Sequence, residues 1–385
     1  MNIIHVRSCS DRGGGPDKTI RLSCINLMQL GHKCSAYYLH GNTEDSLAPV
    51  PLLKSYGVDA EALQFSGHFN FKGIGALQKI LRQYDQCIYH AHDYKSEIFG
   101  VLASWTLRER VALVTTIHGV ILNNWKLHVY EWLAGHSLRF FDKVIVVTNS
   151  QIPYIAQFGV SLDKIEVVYN AIRLVDYETS SLSLAPDTSD NVFACIPRDA
   201  KVILFLGRLS VEKGGNIALQ VLRQLSVIDP SFYLVFVGTG PQSESLCLMA
   251  DELGIRDKVQ FAGYQQDVRP FLKKCHILLV PSLSEGLPNS ILEAQAMFVP
   301  VVASAVGGVT DIIEHEYNGF LVRPGCIDQY VQYILLLSHN NVIRERIIQN
   351  AHRKLEEHFE FGKHMERMMW VYNSLYASKK WKDAI

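Results

Sequence analysis

In the first half of the chain, apolar residues fall into short runs separated by stretches where they recur at helical spacing. Ile3–Val6, Lys33–Leu39, Gln86–His90, Leu113–Ile117 and Lys143–Thr148 read as strands, with helices at Lys18–Leu30 and Tyr94–Thr106 between them. Strands alternating with helices predict a parallel α/β sheet. Near Asn170 the pattern breaks. Residues 173–200 are rich in Ser, Asp, Thr and Pro without a helical period, and read as an irregular junction. A second α/β set follows, with strands at Lys201–Leu206, Tyr233–Val237, Val259–Phe261, Ile277–Val280 and Pro300–Ala303. The last segment, Phe361–Lys379, reads as an aromatic-rich helix. The expected division is therefore a domain over 1–172, the junction, and a domain over 201–360, with 361–385 closing the chain.

Composition narrows the class without naming it. A chain of 385 residues has room for two domains, each with its own core. Apolar residues make up 48% and charged ones 19%, as in ordinary globular proteins, and a net charge of −1 gives no electrostatic case for nucleic acid. The eight cysteines form no Cys-x-x-Cys pair, which reads as free or buried thiols in a reducing compartment. No apolar run approaches the roughly 20 residues needed to span a bilayer. The expectation is a cytoplasmic enzyme, free or resting on the inner membrane face. The aromatic and basic stretch Trp125–Leu133, continuing to Arg139-Phe140, is the candidate for such a peripheral contact. The plainer reading is a helix burying its aromatic face.

The chemistry concentrates in Ser284-Glu285-Gly286-Leu287-Pro288-Asn289-Ser290-Ile291-Leu292-Glu293. Two carboxylates flank a Gly-Pro turn that leads into a helix, with Pro288 in its first turn and Asn289 or Ser290 as cap. Free N–H groups at a helix start attract phosphate, and carboxylates accept from sugar hydroxyls. That pairing suits a nucleotide-sugar. Arg208 and Lys213, just after the first strand of the second set, would stabilise a departing diphosphate; otherwise they are solvated loop charges. The loop Arg12-Gly13-Gly14-Gly15-Pro16-Asp17-Lys18 permits close backbone approach at another helix start, though it is neither a Walker loop nor a full dinucleotide fingerprint. His118 ends a strand, where α/β sheets collect catalytic groups. His90-Ala91-His92-Asp93 alternates as a metal site would, but no third ligand follows at a telling spacing, so no metal is expected there.

These blocks together resemble the retaining glycosyltransferases of family 4, of GT-B type. The Glu285-x7-Glu293 segment matches their paired-glutamate motif. Phe205-Leu206-Gly207-Arg208 through Lys213-Gly214, Phe236-Val237-Gly238-Thr239-Gly240-Pro241, and Val301–Gly308 with Asn318-Gly319-Phe320-Leu321-Val322 match in order. The resemblance implies two Rossmann-like domains facing across a cleft, with the C-terminal helix crossing back to the first. It implies Arg208 and Lys213 on the leaving diphosphate in place of a metal, Glu293 on ribose hydroxyls, and Glu285 and His118 beside the donor sugar. Gly14, Gly15, Gly207 and Gly238 would approach the donor, the N–H groups of Leu287 and Asn289 would reach its phosphate or sugar, and Tyr264 would pack the base. His92, Asp93 and Lys18 would lie on the acceptor side.

The implied function is transfer of a sugar from a nucleotide-diphosphate sugar, UDP favoured, to a glycan or lipid-linked hydroxyl, with no cofactor, in cell-surface polysaccharide assembly. Two alternatives remain. One is a nucleotide-sugar epimerase of similar fold, which would release no free nucleotide and lacks the paired-glutamate block. The other is a non-catalytic binding subunit, which has no need of the five charged and histidine groups together.

Overall fold

The computed structural model describes residues 1–9, 15–40, 49–64, 71–118, 132–178, 189–379 and 381. The chain forms two compact units, Met1–Asn170 with His364–Ile385, and Ala171–Lys363.

Unit 1 holds a seven-stranded sheet of β1 (Asn2–Cys9), β2 (Lys33–His40), β3 (Asp59–Gln64), β4 (Cys87–Ala91), β5 (Val111–Ile117), β6 (Lys143–Val146) and β7 (Ile165–Val167). Their spatial order is β3-β2-β1-β4-β5-β6-β7, and every pairing is parallel. The central strands are buried on both faces, which is why they read as continuous apolar runs. Strand β3, Asp-Ala-Glu-Ala-Leu-Gln, escaped the sequence reading because it is a half-exposed edge strand with no apolar run. Strand β7 is three residues, too short for a period. The C-terminal helix Phe361–Ser378 is anchored in this unit by Tyr376 Oη, which donates to Gln86 at 2.6 Å, and by Lys379, 2.8 Å from Asp142.

Unit 2 holds six parallel strands, β8 (Lys201–Leu206), β9 (Phe232–Val237), β10 (Val259–Phe261), β11 (Ile277–Val280), β12 (Val301–Ser304) and β13 (Phe320–Val322). They are ordered β10-β9-β8-β11-β12-β13. Ile203, Phe205, Leu234, Phe236, Ile277 and Leu279 pack with the helix Gly215–Ile228 into one core. The segment 173–200 is not wholly irregular. It carries a tight 3-10 turn at Leu174–Tyr177 and a short helix at Ser189–Phe193, both too brief to show a helical period in sequence.

Each sheet has a switch point where successive connections change direction, between β1 and β4 in unit 1 and between β8 and β11 in unit 2. In open α/β sheets ligands collect beyond the carboxyl ends of the strands at this place.

Candidate active site

In unit 2, the loops leaving β8 and β11 meet at the switch point. The loop after β8 runs through Gly207 and Arg208 to a 3-10 turn, Val211–Lys213. Lys213 Nζ lies 2.8 and 2.7 Å from the two carboxylate oxygens of Glu285, on the loop after β11. Ser282 Oγ donates to the same carboxylate at 2.7 Å. The Glu285 side chain is 6% exposed and that of Lys213 is 28%, so the carboxylate is enclosed and the lysine partly open. Both contacts go to a single carboxylate, and an ammonium carries three N–H donors, so donor capacity remains for an incoming anion. Arg208 is exposed on the same loop.

Two glycine turns let these loops close up. Gly238, at φ 138°, could carry no Cβ, because that atom would lie 1.9 Å from the Gly207 carbonyl oxygen. Gly307, at φ 47°, faces the Glu285 carbonyl oxygen equally closely, at 1.9 Å from a built Cβ, and Gly308 N–H donates to the Gly286 carbonyl at 2.8 Å. The loops after β8 and β9, and those after β11 and β12, are thus held backbone to backbone.

The helix following Glu285 runs Asn289–Ala296, so Pro288 lies before its first turn, and Asn289 and Ser290 lie inside that turn instead of capping it. Pro288 is the cap residue, Asn289 the first helical one, and no side chain caps the helix. Neither Asn289 nor Ser290 can cap from inside the first turn, since the capping residue must be extended. Asn289 Oδ1 is instead buried without a hydrogen-bond partner. Its N–H, like that of Ser290, belongs to the first turn, where no intrahelical acceptor exists. Leu287 is buried just before it.

Glu293, half-buried one turn into this helix, accepts a hydrogen bond from Tyr177 Oη at 2.9 Å. Tyr177 is buried, and burial together with the Glu293 charge pushes its phenol well above the usual range, so it remains a donor. Arg269 holds the turn bearing Tyr177 through a hydrogen bond to the Asp176 carbonyl. Tyr264, 50% exposed, follows Gly263 beyond β10, and Gly263 accepts from Gly238 N–H at 2.8 Å. Tyr177, Ser282, Gly307 and Gly308 carried no decisive signal in sequence, since each sits in an ordinary local context.

Unit 1 gathers histidines at its own switch point. His5 on β1 and His90 on β4 are register partners, and His92 and His118 follow β4 and β5. His5 Nδ1 lies 2.9 Å from His92 Nε2, and His92 Nδ1 lies 3.1 Å from His118 Nε2. His90 bonds separately to Tyr372 Oη at 2.7 Å and to Thr116 Oγ1 at 2.8 Å. Burial lowers every one of these pKa values: His5 to about 4, His118 to about 3, and His90 and His92 well below the ordinary value. The missing third histidine of the His90/His92 alternation is His5, brought from 85 residues away by strand pairing. Within that trio His5 and His92 are hydrogen-bonded to each other, and their nitrogen separation of 2.9 Å falls short of the roughly 3.3 Å edge of a tetrahedral site with bonds of about 2.05 Å.

Asp93 is occupied locally. Its carboxylate caps the helix Tyr94–Ser104, accepting from the N–H of Lys95 and Ser96 at 3.0 Å each, and it also accepts from Ser8 N–H. Gly15 opens the helix Gly15–Gln29, on which Lys18 is half-buried. Gly14 lies outside the described residues, as do 125–131 of the aromatic stretch. Of that stretch, Trp132 and Phe140 are 57% and 40% exposed, so its described aromatics are not buried against the sheet. The helix there turns Ala134, Ser137 and Leu138 inward instead.

A family model described as glycosyl transferases group 1 matches residues 191–354, and one described as glycosyltransferase family 4 matches residues 13–175. The UDP-Gal:alpha-D-GlcNAc-diphosphoundecaprenol alpha-1,3-galactosyltransferase of Escherichia coli is 24% identical over 318 residues, 80% of this chain and 81% of that protein. The lipopolysaccharide core biosynthesis glycosyltransferase LpsE of Rhizobium meliloti is 31% identical over 183 residues, 48% of this chain and 52% of that one. Among solved structures, Anabaena HepE in complex with UDP-glucose matches with a TM-score of 0.82 at 22% identity, covering 97% of this chain and 100% of that one. Matched by these models over both its halves, and sharing the architecture of such structures, the chain belongs to the family 4 glycosyltransferases (glycosyl transferases group 1), enzymes of GT-B fold.

Proposed function

We propose that this glycosyltransferase moves a sugar from a UDP-sugar to a hydroxyl of a glycan or lipid-linked acceptor, retaining anomeric configuration and using no metal, in cell-surface polysaccharide assembly. The observation that carries the reading is the Lys213–Glu285 pair beside an uncapped helix start at the switch point of unit 2. A diphosphate needs cations and N–H donors, and this place supplies both. Lys213 and Arg208 take the negative charge that develops as the bond between the anomeric carbon and the diphosphate oxygen breaks. The acceptor oxygen forms its bond to that carbon on the same face, and its proton passes to the departing diphosphate. Glu293, steadied by Tyr177, accepts from the ribose hydroxyls. Glu285 bonds the sugar.

The donor and acceptor classes draw on the relatives. The Escherichia coli enzyme is named for UDP-Gal and a diphosphoundecaprenol acceptor, and HepE holds UDP-glucose. A lipid-linked acceptor also suits the surface of unit 1, where exposed Trp105 and Phe140 touch edge to face and Arg108 donates to the Phe140 carbonyl at 2.7 Å. Exposed aromatics beside a guanidinium fit the interface of an anionic bilayer.

A thermal-shift panel of UDP, GDP, ADP and their sugar conjugates, with and without EDTA, tests this. A ligand at 100 times its Kd stabilises the native state by about 2.7 kcal/mol. The expected result is stabilisation by UDP and UDP-sugars, unchanged by EDTA. Stabilisation by another base, or loss of it with EDTA, overturns the donor or the metal-free assignment respectively.

A further inference from the structure

His5, His92 and His118 form a chain of two imidazole–imidazole hydrogen bonds whose outer atoms, His5 Nε2 and His118 Nδ1, are buried without a partner. We propose that His5 and His92 are positioning residues, fixing His118 in the tautomer with its proton on Nδ1 so that this N–H is offered to a sugar oxygen of the substrate. The inference rests on the glycosyl-transfer reading for its substrate, not for its geometry.

A neutral imidazole carries one N–H and one lone pair, so each ring can donate at one nitrogen only. Three neutral rings in a row must therefore point the same way. In one direction His118 Nε2–H donates to His92, His92 Nε2–H donates to His5, and His5 Nε2–H is left without an acceptor. In the other, His5 Nδ1–H donates to His92 Nε2, His92 Nδ1–H donates to His118 Nε2, and the unpartnered N–H is at His118 Nδ1. Burial keeps all three rings neutral at pH 7, which excludes an imidazolium that would donate both ways.

The two ends differ in what can relieve them. A stranded N–H costs more than a stranded lone pair, because unpaired buried donors are among the rarest groups in proteins. His5 is 2% exposed within β1, flanked in the sheet by β2 and β4. His118 is half-buried just past the carboxyl end of β5, where ligands collect in such sheets. The lower-energy direction places the lone pair at His5 and the donor at His118, ready for a hydroxyl oxygen. His90 stands outside the chain, since both its nitrogens face hydroxyl groups that rotate to suit either tautomer.

The test is long-range proton–nitrogen NMR of the full chain labelled with 15N-histidine, first without ligand. The expected spectrum has His118 protonated on Nδ1 and unprotonated on Nε2; the reverse overturns the proposal. In His92→Leu the chain is cut, and His118 should pass to the Nε2–H form or a mixture. Transfer should then fall about tenfold in kcat, the worth of one oriented hydrogen bond, with donor KM nearly unchanged. His92→Asn, which keeps an N–H donor toward His118, should restore the Nδ1–H form and most of the rate. An unaltered tautomer and kcat in His92→Leu overturn the proposal. If no donor supports transfer, the glycosyl-transfer reading fails while the tautomer measurement still decides the chain.

Discussion

At the switch point of the first sheet, between β1 and β4, a group of imidazoles gathers; at that of the second, between β8 and β11, an ammonium and a carboxylate pair. The imidazoles lie on or just past the strands, with His5, His90 and His92 at 2%, 1% and 7% exposure. Lys213 and Glu285 lie out on the loops, with the lysine side chain 28% exposed. The contrast follows from desolvation. A charge enclosed in the sheet would cost several kcal/mol, whereas a neutral ring needs only its hydrogen bonds. Neutral donors and acceptors suit sugar hydroxyls, and a cation that stays hydrated until an anion arrives suits a diphosphate. One architecture thus presents a buried chain of neutral rings in one unit and an ion pair on loops in the other.

The largest expected effect comes from erasing the charge in unit 2. Lys213→Ala should lower kcat about 10²–10³-fold, the usual cost of one donor aimed at developing negative charge. Binding of the free nucleotide should weaken far less, since the base and ribose contacts remain. Steady-state kinetics with a UDP-sugar and calorimetry with UDP separate the two. Equal loss in kcat and affinity would mean Lys213 holds ground state and transition state alike. That outcome would remove the distinction between the charged site and the neutral one.

Acid should act on the neutral site first. The pKa of His5 is lowered to about 4 by burial, against about 6.5 in an unfolded chain. Between those values the unfolded chain binds the extra proton. Stability is therefore complete above pH 6.5 and is lost as the pH falls toward 4. From pH 7 to 5 the loss from His5 alone is about 2 kcal/mol, and His90, His92 and His118 act with the same sign. Glu97, buried on the helix after β4, is pushed up to about 7 by burial and acts with the opposite sign, since its folded carboxyl takes up its proton first. It offsets roughly one histidine of the four. Segment-resolved hydrogen exchange at pH 7 and 5 should show β1, β4 and β5 losing more protection than β8 and β11. His5→Leu should flatten that dependence by about 2 kcal/mol. Equal losses in both sheets would erase the contrast between the units.

What could be read from the chain without coordinates follows the same division. The paired-glutamate block and the loop through Arg208 and Lys213 stood out by their resemblance to a family's ordered motifs, since loop charges taken singly are ordinarily just solvated. Central strands were legible because a doubly buried strand is a continuous apolar run. Edge strands β3, β7 and β13 were not. The histidine chain was only half visible: His92 and His118 stood at strand ends, but His5 inside β1 looked like any strand residue until pairing with β4 placed it beside His90. Tyr177 was hidden for a different reason. It sits in a stretch whose composition reads as linker, and only Glu293, 116 residues on, gives it a role.

That hidden contact provides the smallest and most discriminating prediction. Tyr177 Oη donates to Glu293 Oε1 at 2.9 Å, and Phe fills the same volume without the hydroxyl. Because Glu293 is half-buried, water can replace part of the lost bond, and Tyr177→Phe should cost about 1 kcal/mol of stability. If Glu293 accepts from ribose, a carboxylate released from Tyr177 should also grip it less well. UDP affinity should then fall about fivefold, the equivalent of about 1 kcal/mol, while kcat at saturating donor stays near its parent value. Calorimetry with UDP beside uridine-free diphosphate locates the loss, since only the nucleoside contact should change. An unchanged UDP affinity with lowered stability would make the pair a clamp between the Leu174–Tyr177 turn and the helix Asn289–Ala296. Charge in unit 2 would then serve the diphosphate alone, through Lys213 and Arg208.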